Sequence, residues 1–453
     1  MRSFISNRDT LDDAANPARQ AVLDLVDHAL AASDPGVAAA NLLSLQGSTL
    51  IVGDRAIDLD GRQVFVIGTG KATYPIAKVL DDLLGERIDA SLVVCKAGQE
   101  GSLTHIDLAL AAHPVPDEMS LEGAKRTVEL LQAVRPGDVV IAAVTGGSSA
   151  LFVSPVPGVS LDDKKALSRK LLTCGANIRE INAVRKHVST VKGGRLAAAL
   201  PAGTILINLT VSDVIGDALD YITDPTVPDT ATLDDARLTL DKYGLWQSIP
   251  ASIADYLKNA GPSDETPKEA DLAHLDRIDH ILVAADAACH AAARRAESLG
   301  FNSLLLSTAF EGESRELGRT LSAIAREVRL SGHPLPAPCV LIGGGETTVT
   351  IDSEHGIGGP NQEFAVAGAL YLDGLENVAL LGIDTDGTDG PSDAAGGLVD
   401  GASLTRARAA GLDLDDVLRR HDATAALATM GSLIVTGATG TNVNDLKLVV
   451  IGV

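Results

Sequence analysis

The sequence predicts an α/β protein of two domains, with a mostly parallel sheet that carries helices on both faces. Short β-branched runs recur along the chain, each followed by a glycine-rich loop and a helix-like stretch, which is typical of βαβ units. The predicted strands are almost continuously apolar rather than alternating, as expected for a sheet buried on both faces. A length of 453 residues fits about two or three domains.

The predicted strands fall into two sets. The first set comprises residues 64–67, 92–94, 139–144 and 204–209. A polar segment, residues 259–268, then breaks the pattern and is predicted to be a linker. The second set comprises residues 281–284, 304–306, 340–342, 378–381, 433–435 and 448–451. We therefore predict an N-terminal α/β domain of residues 1–270 and a C-terminal α/β domain of residues 271–453.

Charge and composition exclude several classes of function. The chain has 60 Asp and Glu against 37 Lys and Arg, a net charge of −23, which disfavours binding to nucleic acid or to an anionic membrane surface. The four cysteines lack CxxC spacing, so neither a zinc site nor a disulfide framework is indicated. The N-terminus lacks the apolar stretch of a signal peptide, and no apolar run is long enough to span a membrane. We expect a cytoplasmic protein that binds neither nucleic acid nor membrane.

The first candidate loop is rich in glycine. Gly68, Gly70 and Lys71 follow the strand at 64–67, and ligands of open α/β sheets bind outside the carboxyl ends of strands. Glycines there let backbone N–H groups approach a phosphate, and Lys71 adds a positive charge. The loop lacks both the third glycine of a dinucleotide fingerprint and the spacing of a P-loop. It is either a phosphate-binding loop or a turn with a surface lysine.

The second candidate loop follows the strand at 139–144. Gly146, Gly147, Ser148 and Ser149 are typical of an anion-binding nest before a helix, with the hydroxyl groups as further donors. The alternative is a helix start that is capped by a hydroxyl group.

Basic residues are concentrated in one segment of this acidic chain. Arg185 and Lys186 are followed by His187, Lys192 and Arg195, a cluster suited to phosphate or carboxylate binding. We predict that Arg185 and Lys186 hold anionic oxygens. The alternative is a solvated helix face.

Acidic residues are concentrated in two places. Asp213 and Asp217 follow the strand at 204–209, and Asp386 and Asp389 lie in a segment with four acids among ten residues. Mg²⁺ is usually held by one or two carboxylates together with nucleotide phosphates. These four residues are therefore the predicted metal ligands, and the alternative for Asp386 and Asp389 is a hydrophilic turn.

Two further loops rich in glycine and threonine follow strands of the second set. One contains Gly344, Gly345, Glu346 and Thr347, and the other contains Asn442; we predict that both bind the nucleotide. Backbone donors, cations and carboxylates at strand ends favour phosphoryl transfer over redox chemistry, because phosphoryl transfer depends on positioning and charge neutralisation.

Together these segments resemble the class II glycerate kinases, the glycerate 2-kinase family whose C-terminal half is called the MOFRL domain. The resembling segments are GTGKA (68–72), HPVPDE (113–118), INAVRKHVSTVKGGRLA (181–197), residues 212–217, PTVPD (225–229), GGGETTV (343–349), residues 384–395 and TGATGTNVND (436–445). The resemblance implies phosphorylation of the 2-hydroxyl of D-glycerate by ATP with Mg²⁺. It also implies an N-terminal Rossmann-like αβα sandwich, a MOFRL-type α/β domain and an active site in the cleft between them. The family's cleft lysine falls on Lys71.

Three positions depart from the pattern of the family. Pro360 stands where the family's GGRNQE segment has an arginine regarded as an active-site residue, and Asn361 follows it. Ser148 occupies a glycine position, and Asp224 adds a negative charge close to the implied site. These departures keep the family but point to a related small hydroxy acid as substrate, or to a substitute cation such as Arg185.

Lys71, Arg185 and Asp213 are the predicted catalytic residues. Substrate or phosphate binding is assigned to Gly68, Gly70, Gly146, Gly147, Ser148, Ser149, Lys186 and Asn361. Two alternatives stay open: an NAD(P)H-dependent hydroxypyruvate reductase, a label that members often carry, and a catalytically inactive nucleotide sensor. The expected ligands are ATP, Mg²⁺ and a small hydroxy acid, and a homodimer is an open alternative to a monomer.

Overall fold

The computed structural model describes residues 3–98, 101–216, 218–222, 224–351 and 354–452. Asp217, a predicted metal ligand, lies outside these ranges. The strands are β1 (Leu43–Gln46), β2 (Thr49–Val52), β3 (Arg55–Asp58), β4 (Val64–Thr69), β5 (Ala90–Lys96), β6 (Leu108–Ala111), β7 (Val139–Val144), β8 (Ile205–Val211), β9 (Asp276–Val283), β10 (Asn302–Phe310), β11 (Cys339–Gly345), β12 (Val378–Asp384), β13 (Gly396–Asp400), β14 (Leu433–Ile434) and β15 (Asp445–Ile451).

The helices are α1 (Arg8–Leu11), α2 (Pro17–Ala32), α3 (Pro35–Leu42), α4 (Thr73–Leu84), α5 (Glu118–Leu131), α6 (Ser148–Leu151), α7 (Leu161–Thr173), α8 (Ile178–His187), α9 (Arg195–Ala198), α10 (Leu219–Ile222), α11 (Leu233–Lys242), α12 (Ala251–Asn259), α13 (Ala287–Ser298), α14 (Ser314–Ser331), α15 (Pro360–Tyr371), α16 (Ser403–Ala409), α17 (Leu414–Arg419) and α18 (Ala423–Thr429). Short 3₁₀ helices span Gly85–Arg87, Asp224–Thr226, Pro262–Asp264 and Glu269–Leu272.

The chain folds into two compact units. The central unit is Pro35–Leu282, and the terminal unit combines the described residues of Met1–Asp34 and Val283–Val453. Residues 3–34 therefore pack with the C-terminal half of the chain, which corrects the predicted N-terminal domain of residues 1–270 at its start.

The central unit contains a six-stranded sheet of order β6-β5-β4-β7-β8-β9 among the described residues. Neighbouring strands from β6 to β8 are parallel, which confirms the predicted parallel sheet. The chain order reverses between β4 and β7, the kind of switch point at which open α/β sheets bind ligands. Every residue of β4, β7 and β8 is buried, because their continuous apolar runs are covered on both faces. The shorter strands β1 to β3 form a separate antiparallel sheet.

Two features correct the predicted end of the N-terminal domain. Strand β9, predicted to open the C-terminal domain, lies beside β8 in the central sheet. The predicted linker also belongs to this unit, since Glu265 pairs with His187 Nε2 at 2.8 Å and Thr266 donates to Asp229 at 2.9 Å. Polar residues of this segment therefore bind buried partners, and the segment is not the solvent-exposed linker that was predicted.

The terminal unit contains a mixed sheet of order β10-β11-β15-β12-β13-β14 among the described residues. Only the β10–β11 pair is parallel there, and the other neighbours are antiparallel. Its core includes Leu341, Phe364, Leu380 and Val449, all fully buried. Helix α2 packs against β12, β15 and α13. Within the described residues, no helix has the length and apolar character needed to span a bilayer.

Candidate active site

The loops after β4 and β7 lie side by side, because these strands are neighbours in the central sheet. Lys71 N–H donates to Gly146 O at 2.9 Å, and Ala72 N–H donates to Thr145 Oγ1 at 3.2 Å. Gly70 has a φ of +135°, and a Cβ there would lie 2.1 Å from Thr145 Oγ1. Only glycine permits this approach. The two predicted loops therefore form one continuous edge.

Lys71 and His113 both lie next to Gly147 on this edge. Gly147 has a φ of +86°, and a Cβ on it would lie 2.9 Å from Lys71 Cγ and 3.3 Å from His113 Nε2. Gly147 precedes α6, in which Ser148 is buried and Ser149 is exposed. Gly68 is a strand residue whose Cβ would meet Ala143 O at 2.8 Å, so its small size serves strand packing rather than a ligand.

A cavity of about 420 Å³ lies at this edge, and its lining combines apolar residues with several lysines and arginines and, among the described residues, no acid. His113, Gly147 and Ser149 line it together with Lys164, Lys165, Arg169, Arg185 and Lys192. Arg185 Nε is buried and has no hydrogen-bond partner among the described residues. We call this the cationic cavity. Its charge suits a carboxylate or a phosphoryl group.

Three of these cations, on α7, were not predicted from the sequence. Lys164, Ser168 and Leu172 are spaced four residues apart, as are Lys165 and Arg169, so they share one side of the helix. The start of α7 is fixed by a capping box in which Ser160 Oγ accepts the Asp163 N–H at 3.0 Å. This four-residue spacing is visible in the sequence. The same spacing is typical of an ordinary solvent-exposed helix face, so it does not by itself indicate a binding site.

Lys192 is held in place by Asp224. Its ammonium donates to Asp224 Oδ2 at 2.7 Å and to Ser149 Oγ at 3.3 Å, and Asp224 Oδ1 accepts the Gly193 N–H at 2.7 Å. Burial by itself would raise the pKa of Asp224, but Lys192 and Lys186 outweigh it and hold that pKa below its usual value. The negative charge predicted at Asp224 is therefore neutralised within the protein, and it positions Lys192.

Lys186 does not line the cationic cavity. It is almost fully buried, donates to Asp229 Oδ1 at 2.8 Å and lies 3.5 Å from Asp220 Oδ2. Its ammonium also lies 5.0 Å from the centre of the Tyr221 ring. The anionic oxygens that Lys186 holds therefore belong to the protein itself, and its predicted contact with a substrate or phosphate stays a prediction. On α8, Arg185 and Lys186 point to different surroundings, and Arg185 is the one at the cavity.

Asp213 is half-buried just beyond β8, the neighbour of β7 in the sheet. It stays a predicted catalytic or metal-binding carboxylate. Within the residues that the structure describes, no three His, Cys, Asp or Glu side chains are grouped as ligands of one metal ion.

In the terminal unit, Asp389 caps a helix. Its Oδ1 accepts the backbone N–H of Asn361 at 3.0 Å and its Oδ2 that of Gln362 at 2.9 Å, in the first turn of α15. Burial, reinforced by the charge of Asp445, raises the pKa of Asp389 to about 6. Both carboxylate oxygens therefore hold the start of α15, and the predicted metal-binding role of Asp389 stays a prediction.

Asn361 is also engaged within the protein. Its side-chain amide donates to Asp389 Oδ1 at 3.2 Å and to Asp445 Oδ1 at 2.6 Å, and its oxygen accepts from Lys447 Nζ at 2.9 Å. It is fully buried, which corrects the predicted substrate contact. Asp445 and Lys447 were not predicted from the sequence, although two charges inside the apolar strand β15 indicate a buried charged pair.

Asp386 forms a local turn. Its Oδ1 accepts the backbone N–H of Thr388 at 2.8 Å and the Thr388 hydroxyl at 2.7 Å, a pattern common for Asp in turns. It stays a predicted metal ligand. Since Mg²⁺ needs only one or two carboxylates beside phosphates and waters, Asp213 in the central unit or Asp386 in the terminal unit would suffice as its protein ligand.

Gly344 and Gly345 lie within β11 and not in a loop. A Cβ on Gly344 would lie 2.5 Å from Cys289 Sγ, and one on Gly345 would lie 2.3 Å from Phe310 N. Close packing therefore explains these glycines, and their predicted contact with the nucleotide stays a prediction. Asn442 is buried in the loop between β14 and β15, and its predicted role stays a prediction.

A second cavity, of about 380 Å³, lies in the terminal unit. Glu346, Thr347, Pro360, Glu363 and His421 are among the residues that line it. Pro360 is the first residue of α15, where its missing N–H is not needed by the helix. The proline is therefore compatible with the fold, and the position still borders a cavity.

The comparisons with known proteins agree with this architecture. Residues 21–258 match the family described as a domain of unknown function, DUF4147, and residues 339–445 match the MOFRL family. A glycerate 2-kinase of Pyrococcus horikoshii is 40% identical over 438 residues, 96% of this chain and 97% of that protein. A putative hydroxypyruvate reductase of Agrobacterium vitis is also 40% identical, over 96% of this chain and 95% of that protein.

A solved structure of a glycerate kinase from Thermotoga maritima has a TM-score of 0.80 and 37% identity, covering 95% of this chain and 99% of that chain. Identity at this level over nearly the whole length shows common descent of both units. The chain therefore belongs to the glycerate 2-kinase family that contains the MOFRL domain.

Proposed function

We propose that this chain is an ATP- and Mg²⁺-dependent kinase that phosphorylates the 2-hydroxyl of D-glycerate or of a closely related small hydroxy acid. The observation that carries the proposal is the cationic cavity at the switch point of the central sheet. A small hydroxy acid has a carboxylate and its product adds a phosphoryl group, so both require the positive charge found there. The family's kinase members support the same reaction.

The transfer forms a bond between the substrate oxygen and the γ-phosphorus and breaks the bond from that phosphorus to the β,γ-bridging oxygen, releasing ADP. The hydroxyl proton must pass to a base, for which Asp213 is our candidate. Lys71 and Arg185 would neutralise the substrate carboxylate and the moving phosphoryl group, and charge stabilisation is the main source of catalysis in this chemistry. A bound Mg²⁺ would supply further neutralisation of the phosphates, with Asp213 or Asp386 as ligands.

The reductase is the second candidate because relatives such as the one from Agrobacterium vitis carry that name. Two sequence features disfavour it: Thr73 occupies the third glycine position of a dinucleotide fingerprint, and β5 ends in Cys95 and Lys96 rather than an acid for a ribose hydroxyl.

An assay of ADP release with Mg²⁺-ATP against D-glycerate, tartronate, threonate and erythronate separates these functions. We expect ADP release with at least one acid. We expect no oxidation of NAD(P)H in the presence of hydroxypyruvate. Oxidation of NAD(P)H by hydroxypyruvate, together with no ADP release from any acid, would establish the reductase instead. ATP binding without turnover of any acid would indicate the nucleotide sensor.

Lys164 makes substrate binding depend on pH. Its ammonium donates to Arg185 O at 2.9 Å and Val188 O at 3.3 Å, and burial, followed by the charges of Lys192 and Arg185, lowers its pKa to about 7. An anion in the cavity favours the charged form and raises this pKa. Binding therefore takes up a proton above pH 7, and affinity for the acid falls as pH rises, by up to about tenfold per pH unit.

Calorimetric titration of D-glycerate between pH 6 and pH 9, in buffers of different ionisation enthalpy, measures both effects. Glycerate itself stays ionised over this range. The variant Lys164→Met is expected to bind weakly at every pH, without proton uptake. A wild-type affinity that is constant from pH 6 to pH 9 would contradict the prediction.

A further inference from the structure

The cationic cavity also has an apolar wall. Val115 and Leu172 line the cavity and are 61% and 64% exposed, so both side chains present accessible surface. The other apolar residues of this wall are Pro114, Pro116, Ala150 and Val153. A single exposed leucine or valine needs no explanation, but these residues converge on one cavity from α7, from the loop before α5 and from α6 and the residues after it. A ligand that covers them gains the free energy of burying their apolar surface.

Leu172 lies outside the core that its own helix helps to form. Leu167 and Leu171 on α7 are fully buried, in a cluster that they share with residues of α8, α11 and α12. Successive side chains on a helix point about 100° apart, so Leu172 is turned away from that core. It follows Ser168 by one helical turn along the lining of the cavity. The cavity, and not the helix packing, therefore accounts for an apolar residue at this position.

Val115 is presented to the cavity by a stiff loop. Pro114 and Pro116 flank it, and the ring of a proline fixes its φ. Directly after Pro116, a capping box holds the start of α5: Asp117 Oδ1 accepts the Ser120 N–H at 3.0 Å, and Ser120 Oγ accepts the Asp117 N–H at 3.1 Å. The backbone around Val115 is thus restrained before a ligand binds, which lowers the entropic cost of covering its side chain.

The polar residues of the cavity indicate where a carboxylate lies. Arg169 is exposed and Arg185 is half-buried, so both present accessible surface to an anionic group in the cavity that they line. Ser149 and Ser168 add hydroxyl groups that can hydrogen-bond a ligand hydroxyl, and among the described residues no acid lines the cavity. A ligand that uses both parts of the lining therefore combines a carboxylate and a hydroxyl group with an apolar portion.

The volume of the cavity exceeds the needs of a three-carbon acid. It is about 420 Å³, within the range of about 300–1,000 Å³ that accommodates drug-sized ligands. D-glycerate carries only a hydroxymethyl group on the carbon that bears its 2-hydroxyl, and this small polar group would leave the apolar wall in contact with water. An alkyl group in its place displaces that water, which is favourable.

We propose that the cationic cavity binds a 2-hydroxy acid with a small alkyl side chain, with the carboxylate at Arg169 and Arg185 and the alkyl group against Val115 and Leu172. This inference rests on the proposed kinase function for its choice of hydroxy acids as ligands. It deepens that function by naming the substrate class: acids with an alkyl substituent rather than with further hydroxyl groups or a second carboxylate. Val115 and Leu172 are then specificity-determining residues.

Calorimetry with the full chain and three acids that share one head group tests the inference. D-lactate, D-2-hydroxybutyrate and D-2-hydroxyisovalerate carry a methyl, an ethyl and an isopropyl group, and all three are ionised at pH 7. In wild type, we expect the affinity to rise about threefold with each added carbon, close to the gain from burying a methylene group. The heat capacity change of binding should become more negative along the series.

Two variants of the apolar wall and two controls assign the effect to its residues. Leu172→Ser is expected to reduce the gain to less than about 1.5-fold per carbon, and Val115→Thr, which nearly keeps the shape, to reduce it by a smaller factor. Arg169→Gln removes a charge at the carboxylate, so it should lower all three affinities by a similar factor and keep their ratios. Ile178→Ser changes a residue that is 54% exposed at the start of α8, outside the cavity lining that the structure describes, and should alter neither. All four variants should melt near the wild-type temperature, because the substituted side chains are exposed.

The inference is wrong if the affinity of wild type does not rise from D-lactate to D-2-hydroxyisovalerate, or if Leu172→Ser and Val115→Thr both keep the wild-type gain per carbon. It is also wrong if Leu172→Ser weakens the binding of ATP and leaves the gain intact, because the wall then binds the nucleotide. ADP release reports separately on the kinase. Turnover of D-glycerate without a gain per carbon would refute only the inference. A gain that depends on Leu172, with no ADP release from any acid tested, would refute only the kinase.

Discussion

Lys71→Ala is expected to lower kcat for the hydroxy acid by at least about 100-fold, the scale of losing one preorganised electrostatic stabiliser. The side chain of Lys71 borders Gly147 beside the cationic cavity, where its Cγ would lie 2.9 Å from a Cβ on that glycine. The contact between the two loops is made by the Lys71 backbone N–H to Gly146 O. The substitution therefore removes the charge and leaves the edge of the sheet intact.

Steady-state kinetics of ADP release, with melting temperature as the check on folding, measures this effect. Lys78→Ala is the matched control, since Lys78 lies on α4 and its exposed ammonium pairs with Asp82. That variant should keep the wild-type kcat. Turnover by Lys71→Ala within a few-fold of wild type would remove Lys71 from the catalytic mechanism.

Arg19→Ala is expected to destabilise the terminal unit by about 3 kcal/mol, the cost of breaking a buried ion pair on one side. Arg19, on α2, donates to Asp400 Oδ2 at 2.7 Å and to Leu11 O at 2.8 Å. The side chains of Arg19 and Asp400 are only 4% and 3% exposed. Arg406, 2.9 Å from Asp400 but one-third exposed, compensates only in part.

The measurement is urea unfolding followed by hydrogen exchange in peptides from β12, β13 and β15. The matched control is Arg295→Ala, which removes a half-exposed pair with Asp24 of α2, 2.7 Å apart, and should cost less than about 1 kcal/mol. Equal, small effects of the two substitutions would show that the buried Arg19–Asp400 pair adds little to the stability of this unit.

The sequence predicted well wherever a local pattern has one structural meaning. The continuous apolar run at Val139–Val144 is a buried parallel strand with the predicted bounds. The loops with Gly70, Lys71 and Gly147 lie together because β4 and β7 are parallel neighbours at the switch point of the sheet, so their carboxyl ends share one edge. The resemblance to the family rests on eight segments spread over the chain, of which GTGKA at residues 68–72 is the one in these loops.

The sequence predicted poorly wherever a charged residue has several partners available. Arg185 and Lys186 are adjacent on α8, yet Arg185 lines the cationic cavity and Lys186 pairs with Asp229. Neighbours on a helix point about 100° apart, and only the packing of α8 decides which of them reaches a ligand. Asp389 appeared to be one of several metal ligands, but α15 starts at its carboxylate.

The sequence by itself thus determined the α/β class, the parallel central sheet and the loops at its edge, because hydrophobic period and glycine positions are local properties. The family came from the resemblance of short motifs along the chain. The tertiary structure alone decided that residues before Asp34 complete the terminal unit and that α7 supplies Lys164, Lys165 and Arg169 to the cationic cavity. It also decided that Val115 and Leu172 line one cavity. These contacts join residues far apart in the chain, and their energies depend on burial and distance, which no local pattern records.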